Sequence, residues 1–403
     1  MRAHRRTAGL SQEQLAADAD LSVSVIRKIE QGGQARVETL HSIARALGVT
    51  TSELFAPGSP RPVVEDETNR QMLAQLRRAL MPPVGISEPL ADAGEVEELP
   101  DLRRRIEDGL ALYGADRYDS VARMLPKLLR SAEAATVTME GEEQREAVII
   151  RAHALLLAGK YLTQVRQYDM AYQALAEGIR LARETEQTLV AATGVIGMCW
   201  LFLRQDRFDE AEQLAVTTAE QIEPRMSSAS VGQLAAWGEL WLRVASAAVR
   251  NNRPDEAEEA RRMAATAASA VGQEHVDYRT HWATFGPVTA ELKAVEDLAL
   301  AGDSRGVLRR ADDGLLTRRA MRKVGRPSTI NWNRHRLDVA RSHVELGSTQ
   351  DAMDELTRIK RTAGNWIQHQ PMARYIMRDI LKTRKRSLTQ EMRSMAVHLN
   401  VHA

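Results

Sequence analysis

The sequence predicts an all-α protein, with a small helical head followed by a long array of helical hairpins. Three observations carry this. Residues 10–32, LSQEQLAADADLSVSVIRKIEQG, read as two short helices joined by a tight turn. From about residue 101 onward, a polar turn followed by a small residue recurs every 40 to 50 positions. The period-2 alternation of half-buried strands is absent.

In the head, Ser11 is an N-cap and forms with Gln14 a capping box, in which each side chain satisfies an orphan N–H of the other. Leu15, Ala16 and Ala19 give a small apolar face. Asp20 and Leu21 make the turn. Ser22 caps the next helix, whose inner side is Val25, Ile26 and Ile29, and Gly32 and Gly33 end it as a left-handed cap. Small residues such as Ala16 let the two helices cross closely. This is the layout of a DNA-reading helix-turn-helix, in which the exposed start of the second helix meets base edges in the major groove. The residues there are Ser22, Val23 and Ser24, with Arg27 and Lys28 one turn on. Arg or Lys suits guanine O6/N7, and a Val methyl suits the thymine methyl.

The order of signals extends further: Arg5, G-L-S-Q at Gly9 to Gln12, Leu15–Ala16, I-E-x-G ending at Gly32, and L-x-x-I-A-x-A-L-G-V from Leu40 to Val49. In these, residues 2–55 resemble the XRE family of phage-repressor-like regulators. The resemblance implies a lambda-repressor-like helix-turn-helix. It also implies that Gln12 touches the DNA backbone or an outer base, and that Arg5 and Glu30 tie the first helix to the recognition helix. The chain starts almost inside that first helix, where family members carry several more residues. Either translation starts upstream or this helix is short.

Charge adds little to the DNA reading. Residues 1–55 hold seven Arg or Lys against six Asp or Glu, a weak balance where affinity rests on phosphate neutralisation. A homodimer on a palindromic site compensates, placing two recognition helices in successive major grooves about 34 Å apart. The expected partner is double-stranded DNA.

At 403 residues the chain exceeds one typical domain. Its one cysteine, Cys199, excludes a disulfide framework and a cysteine-based zinc site, and reads as a buried structural thiol. No apolar run is long enough to span a bilayer, and the basic N-terminus has no signal-peptide core, so a cytoplasmic location is expected. Abundant Ala, with Arg far exceeding Lys, marks a high-GC bacterial composition. No phosphate-binding loop, nucleophile elbow or H-E-x-x-H motif is present, so no enzyme, cofactor or metal is expected. His398 and His402 lack a third ligand, and His335 and His343 lack a carboxylate partner.

Residues 1–56 are therefore expected to form the DNA-binding domain. Residues 57–100 are expected to be a semi-rigid linker rather than core, with one amphipathic helix at 68–81 between prolines Pro57, Pro60, Pro62, Pro82, Pro83, Pro89 and Pro100. Residues 101–403 form the repeat domain. Its turns are GADRYDSV, VRQYDMA, RQDRFDEA, RNNRPDEA, AGDSRGV and LGSTQDA, and its small anchors are Val121, Ala171, Ala211, Ala257, Val307 and Ala352. The units resemble tetratricopeptide (TPR) hairpins, with Tyr118, Tyr168 and Phe208 as the aromatic before the second helix. The period exceeds the 34 of standard repeats. Six pairs and a closing pair at roughly 371–400 are expected to stack into an α-solenoid, because no hairpin buries its apolar face alone.

Such a solenoid lines its concave side with the first helix of each pair. Aligning by the anchors puts His153, Lys160, Trp200, Arg204, Glu239, Arg250, Arg334 and Arg341 inward. Trp241 falls on a packing position, whereas Trp200 and Trp332 suit a ligand wall. An Arg- and Trp-lined groove suits an acidic or carboxylate-bearing ligand, such as a peptide C-terminus. Two runs add to it. RTHWATFGP (279–287) breaks the chain just ahead of a helix, and TINWNRHR (329–336) offers the Asn331 and Asn333 amides. Thr329 and Asn331 equally suit helix capping. The basic run 378–387 complements a helix C-terminus.

Taken whole, the chain resembles XRE–TPR regulators, a class that includes the peptide-pheromone receptors of Gram-positive bacteria. That resemblance implies quorum sensing as a context, and a signalling peptide or small-molecule effector that alters the spacing of two heads. The rival reading is a TPR protein-interaction adaptor tethered to DNA by its head. A closed, Trp-lined pocket would favour a small ligand or peptide, and an open apolar groove a protein partner.

Overall fold

The computed structural model describes residues 1–7, 10–33, 35–47, 49, 51–54, 67–83, 95–276, 284–383 and 388–401. Gly9, Pro57, Pro60, Pro62, Pro89, residues 279–283 with Trp282, residues 384–387 and His402 lie outside them.

The head comprises α1 (Arg2–Thr7), α2 (Gln12–Asp18), α3 (Val23–Glu30), α4 (Val37–Ala46) and α5 (Thr51–Leu54). Its core is Leu15, Ala16, Ala19, Ile26, Ile43, Ala44 and Leu54. The capping box at Ser11 and Gln14 is formed in both directions, and Asp20 takes a left-handed φ of 53° in the turn. At the end of α3, Gly32 has φ 90°. Its N–H reaches the Ile29 carbonyl at 3.0 Å and that of Gly33 reaches Lys28 at 2.8 Å, the double bond of a Schellman motif.

Helix α6 (Glu67–Leu80) follows. It corrects the expectation of a linker outside the core: Leu76 is fully buried in the same apolar cluster as the array. The acidic residues before α7 are also tied down. Glu97 Oε1 accepts from Arg105 at 3.0 Å and from the Ser131 hydroxyl at 3.1 Å. One amphipathic helix with a single apolar stripe is not stable alone in water, and docking onto the first hairpin covers that stripe.

The array runs through hairpins α7 (Leu99–Gly114) with α8 (Tyr118–Thr138), α9 (Gly141–Gln164) with α10 (Tyr168–Glu184), α11 (Thr188–Arg204) with α12 (Phe208–Gln221), and α13 (Val231–Arg250) with α14 (Pro254–Val271). Next come α15 (Pro287–Leu300) with α16 (Ser304–Arg310), the short α17 (Arg318–Val324), and α18 (Thr329–Glu345) with α19 (Thr349–Thr362). It ends in α20 (Gly364–Gln368), α21 (Pro371–Thr383) and α22 (Gln390–His398). Each hairpin turn holds one left-handed residue: Asp116, Arg166, Asp206, Asn252, Gly302 and Gly347, with φ between 58° and 83°. Five residues after each stands the buried small anchor, Val121, Ala171, Ala211, Ala257, Val307 or Ala352. The left-handed residue reverses the chain, and the small anchor one turn into the next helix lets the two helices approach.

One feature departs from the all-helical expectation. Between α14 and α15, β1 (His275–Val276) and β2 (Thr284–Phe285) pair antiparallel, with His275 opposite Phe285. The ribbon serves packing: Phe285 is fully buried with its ring against Gly238 of α13, where a Cβ would overlap it. Glu274, just before β1, caps α15 by accepting from Val288 N at 3.0 Å and Thr289 N at 3.1 Å.

The array also returns on itself. Asp116, in the first turn, accepts from the backbone N–H groups of Asn365 at 2.7 Å and Trp366 at 2.6 Å, and its carbonyl accepts from Asn365 Nδ2 at 2.8 Å. Tyr118 and His369 meet edge to face at 6.2 Å beside this contact. Replacing Asp116 by Ala leaves two N–H groups of α20 without their acceptor. Urea unfolding of the Asp116→Ala protein is expected to show a loss of about 1–3 kcal/mol. Gly238→Ala is expected to destabilise by about 1–3 kcal/mol through overpacking, although an exposed helical Gly→Ala change stabilises by about 1 kcal/mol. Thermal melting of that variant gives the sign.

Candidate DNA-reading surface and inner cavity

The head is held by one buried carboxylate. Glu30, at the end of α3, accepts from Arg5 Nε at 2.8 Å and Nη2 at 3.2 Å, from Gln12 Nε2 at 2.6 Å and from Arg2 Nε at 3.4 Å. Arg5 Nη1 also donates to the Leu10 carbonyl at 2.7 Å. These bonds, Arg5's first among them, draw the Glu30 carboxyl down to about 2. Arg5 and Glu30 thus lock α1 and α2 onto α3.

On the outer side, Ser22 and Ser24 are exposed, with their hydroxyls 2.8 Å apart. The Ser22 hydroxyl also accepts from Val25 N at 3.4 Å, so it caps the helix as well as facing outward. Val23 is half-buried against the head core. Lys28 is exposed. Arg27 is exposed but folded back, its Nη2 3.3 Å from Glu13 and its Nε 3.3 Å from Gln12 Oε1. The Gln12 side-chain amide donates to Glu30 at 2.6 Å and accepts from Arg27 at 3.3 Å, so it also braces the head.

Among the described residues, the head docks on the array through α4 and α5. His41 stacks edge to face on Phe208 at 4.8 Å. Thr51 N donates to Asp206 at 2.6 Å, and Arg45 lies 3.9 Å from Asp209. Burial, with the Arg250 and Arg45 charges, pushes the His41 imidazole down to about 3, so it is held neutral. Phe208 takes the aromatic place expected of a repeat and spends it on this contact.

Within the array, α7, α9, α11, α13, α15 and α18 surround a cavity of about 140 Å3. Of the ten ligand candidates read from the sequence, Lys160, Trp200, Arg204, Glu239, Asn331 and Arg334 line it. The others do not. Asn333 is two residues from Asn331 and so faces away; it accepts from the Thr362 hydroxyl at 3.2 Å. Trp332 packs on the apolar cluster around Val288 and Val295. Arg341 pairs with Glu345 at 2.7 Å. His153 lies away from the cavity, its imidazole pushed down to about 4 by burial. Ser328, rather than Thr329 or Asn331, caps α18. Arg250, aligned inward by its anchor, does line the cavity.

The cavity also holds Arg243, Lys293 and Glu296, which sequence reasoning missed. Arg243 sits one helical turn after Glu239 and Lys293 three residues before Glu296, so a charged pair at helical spacing was the available signal. Arg243 Nη2 donates to Glu239 at 2.9 Å. Lys293 Nζ and Arg250 Nη2 both donate to Glu296, at 2.5 and 3.2 Å. Burial pushes Lys160 down to about 8 and Arg204 down to about 10. Arg204 lies over the Trp200 ring at 5.2 Å and Lys160 over the Tyr113 ring at 5.1 Å.

Residues 1–54 match a family model described as helix-turn-helix. No curated protein and no solved structure matches the chain. The match places a DNA-binding regulatory domain at the N-terminus, joined to a mostly helical remainder. No helix among the described residues is long and apolar enough to cross a membrane.

The Glu30 cluster makes the head acid-sensitive. Its carboxyl titrates lower in the fold than in the unfolded chain, so its contribution is full above about 4.5 and is lost as pH falls toward about 2. Amide protection in α3, measured as the ratio of intrinsic to observed exchange rate at each pH, is expected to fall over that window. Glu30→Gln is expected to weaken the head by about 1–3 kcal/mol at pH 7, because Arg5 loses its charge-assisted partner.

Proposed function

We propose that this protein is a sequence-specific, dimeric transcription regulator whose activity responds to an effector bound in the inner cavity. The observation that carries the first part is the exposed start of α3, with Ser22, Ser24, Arg27 and Lys28, on a head whose docking contacts lie on α4 and α5 instead. That leaves the reading surface accessible to a major groove. Dimerisation is supported by the near-neutral charge of the head, since one head offers few phosphate contacts.

We read the array as a divergent TPR-like solenoid, supported by the fixed offset between each left-handed turn residue and its buried anchor. The return of the array on itself at Asp116 gathers the inner helices around a partly enclosed cavity, which supports a small effector over a partner protein. A route from cavity to head exists in Arg250. It donates to Glu296 in the cavity wall, and its charge acts on His41 at the head contact. An effector that binds one arrangement of this contact better shifts the head by that difference in affinity.

Genome-wide mapping of bound sites should return a palindrome with half-sites one helical turn apart, and scattered enrichment would sink the dimeric reading. Against such an operator, Lys28→Ala and Arg27→Ala are each expected to cost about 1–3 kcal/mol where they read a base. A residue that touches only phosphate should instead reduce the salt slope by about 1. Unchanged operator affinity in the folded double variant would overturn the assignment of α3.

A further inference from the structure

We propose that the inner cavity binds a small organic oxyanion, a carboxylate or phosphate on a compact body, gripped by Arg204 and Arg334. Its regulatory consequence rests on the effector reading above, but binding itself does not.

Charge imbalance is the first argument. Among the described residues, the cations Lys160, Arg204, Arg243, Arg250, Lys293 and Arg334 line the cavity against the carboxylates Glu239 and Glu296. Both carboxylates are committed, Glu239 to Arg243 and Glu296 to Lys293 and Arg250. Buried charge without compensation is costly, so surplus cations around a partly enclosed space mark a place for an anion.

The second argument is the state of Arg204. Its Nε and Nη2 are buried with no hydrogen-bond partner among the described residues. Burial above all, and the Arg334 and Arg166 charges, work against its charged form, with only the Tyr168 and Tyr113 hydroxyls among the leading influences favouring it. The guanidinium lies over the Trp200 ring at 5.2 Å. A planar fork with idle N–H groups and a second arginine close by matches the two oxygens of a carboxylate or phosphate.

Size is the third. The cavity measures about 140 Å3, on the scale where roughly 150 Å3 takes up benzene. Leu110, Leu203 and Ile330 supply apolar wall for a compact body.

Three probes on the full-length protein test this: benzoate, inorganic phosphate and benzylammonium, by calorimetric titration and thermal melting. Benzoate or phosphate is expected to raise Tm by roughly 2 °C or more at about tenfold over its Kd, and benzylammonium is not. A response to benzoate alone assigns a carboxylate, and one to phosphate alone a phosphoryl group. Arg204→Met should weaken the anion about tenfold or more and raise the anion-free Tm, because it removes an unpartnered buried charge. Arg334→Gln should weaken the anion as well, whereas Arg341→Ala, on the same helix but outside the cavity, should respond as the parent does. No response to either anion, an equal response to benzylammonium, or a full response in Arg204→Met would overturn the site. Anion binding that leaves operator affinity unchanged would uphold the site and remove its regulatory role. Failed anion binding with operator affinity intact would overturn the site and leave the DNA-binding reading standing.

Discussion

The geometry of this protein depends on how each hairpin turns. A left-handed residue ends the first helix, and five positions later a residue no larger than valine lets the next helix press close. Gly302 and Gly347 adopt that conformation without penalty, and Asp116, Asp206 and Asn252 are types that tolerate it better than most. Because the offset is the same in each unit, successive hairpins stack with related geometry, and curvature accumulates until the chain's far end meets its first turn. Asp116 then serves twice. Its backbone makes the turn, and its side chain receives the N–H groups of Asn365 and Trp366. The carboxyl is pushed up to about 6 by burial despite those two bonds, so the closing contact carries a desolvation cost that the packing around Tyr118 and Trp366 must offset.

Closure explains the electrostatics inside. Charged residues on the inner helices of an open superhelix would face bulk water and need no partners. Once the array closes, the same side chains share a small space, and burial acts on all of them. Lys160, Lys293 and Arg204 are pushed down, and Asp338 is pushed up to about 7 by burial with Glu296 nearby. A fold selected only for stability would fill such a site with apolar side chains, since buried ion pairs seldom outperform well-packed hydrophobic ones. Retaining this many cations is the kind of local cost that proteins keep where a site has work to perform.

What the sequence made legible was local. Ser11 with Gln14, the Asp20 turn, the glycine stop after α3 and the six anchors are all set by residues a few positions apart, where capping and turn chemistry act. Arg5 and Glu30 came from the likeness of the whole head, not from their own spacing. The candidate site was legible only in part, because alignment on the anchors gives the inward face of a helix approximately. It found Lys160, Trp200, Arg204, Glu239, Arg250 and Arg334. It erred at α18, where Asn331 and Asn333 cannot share a face of a 3.6-residue helix, and where Trp332 turns to the core between them. Arg243 and Lys293 went unseen because each looked like one half of an ordinary surface pair. The Asp116 contact spans 249 residues of sequence, and nothing local signals it. The docked α6 was misread for a related reason: a lone amphipathic helix does not announce which surface will cover it.

The position of the head follows from the same repeat logic. In the first hairpin the aromatic before the second helix is used inward, Tyr118 meeting Tyr113 and Tyr161. In the third hairpin, Phe208 meets His41 instead, and the left-handed Asp206 beside it accepts from Thr51. The turn that shapes the array is therefore also the turn that carries the head. The Arg250 guanidinium lies between this turn and Glu296. Under the effector reading proposed above, a change in curvature or in charge at Glu296 would reach α4 through this contact. Coupling of this kind needs only two arrangements of one small contact that differ in energy by a few kcal/mol. Among the described residues this contact is one aromatic pair, one hydrogen bond and one exposed ion pair, which is weak enough to have both.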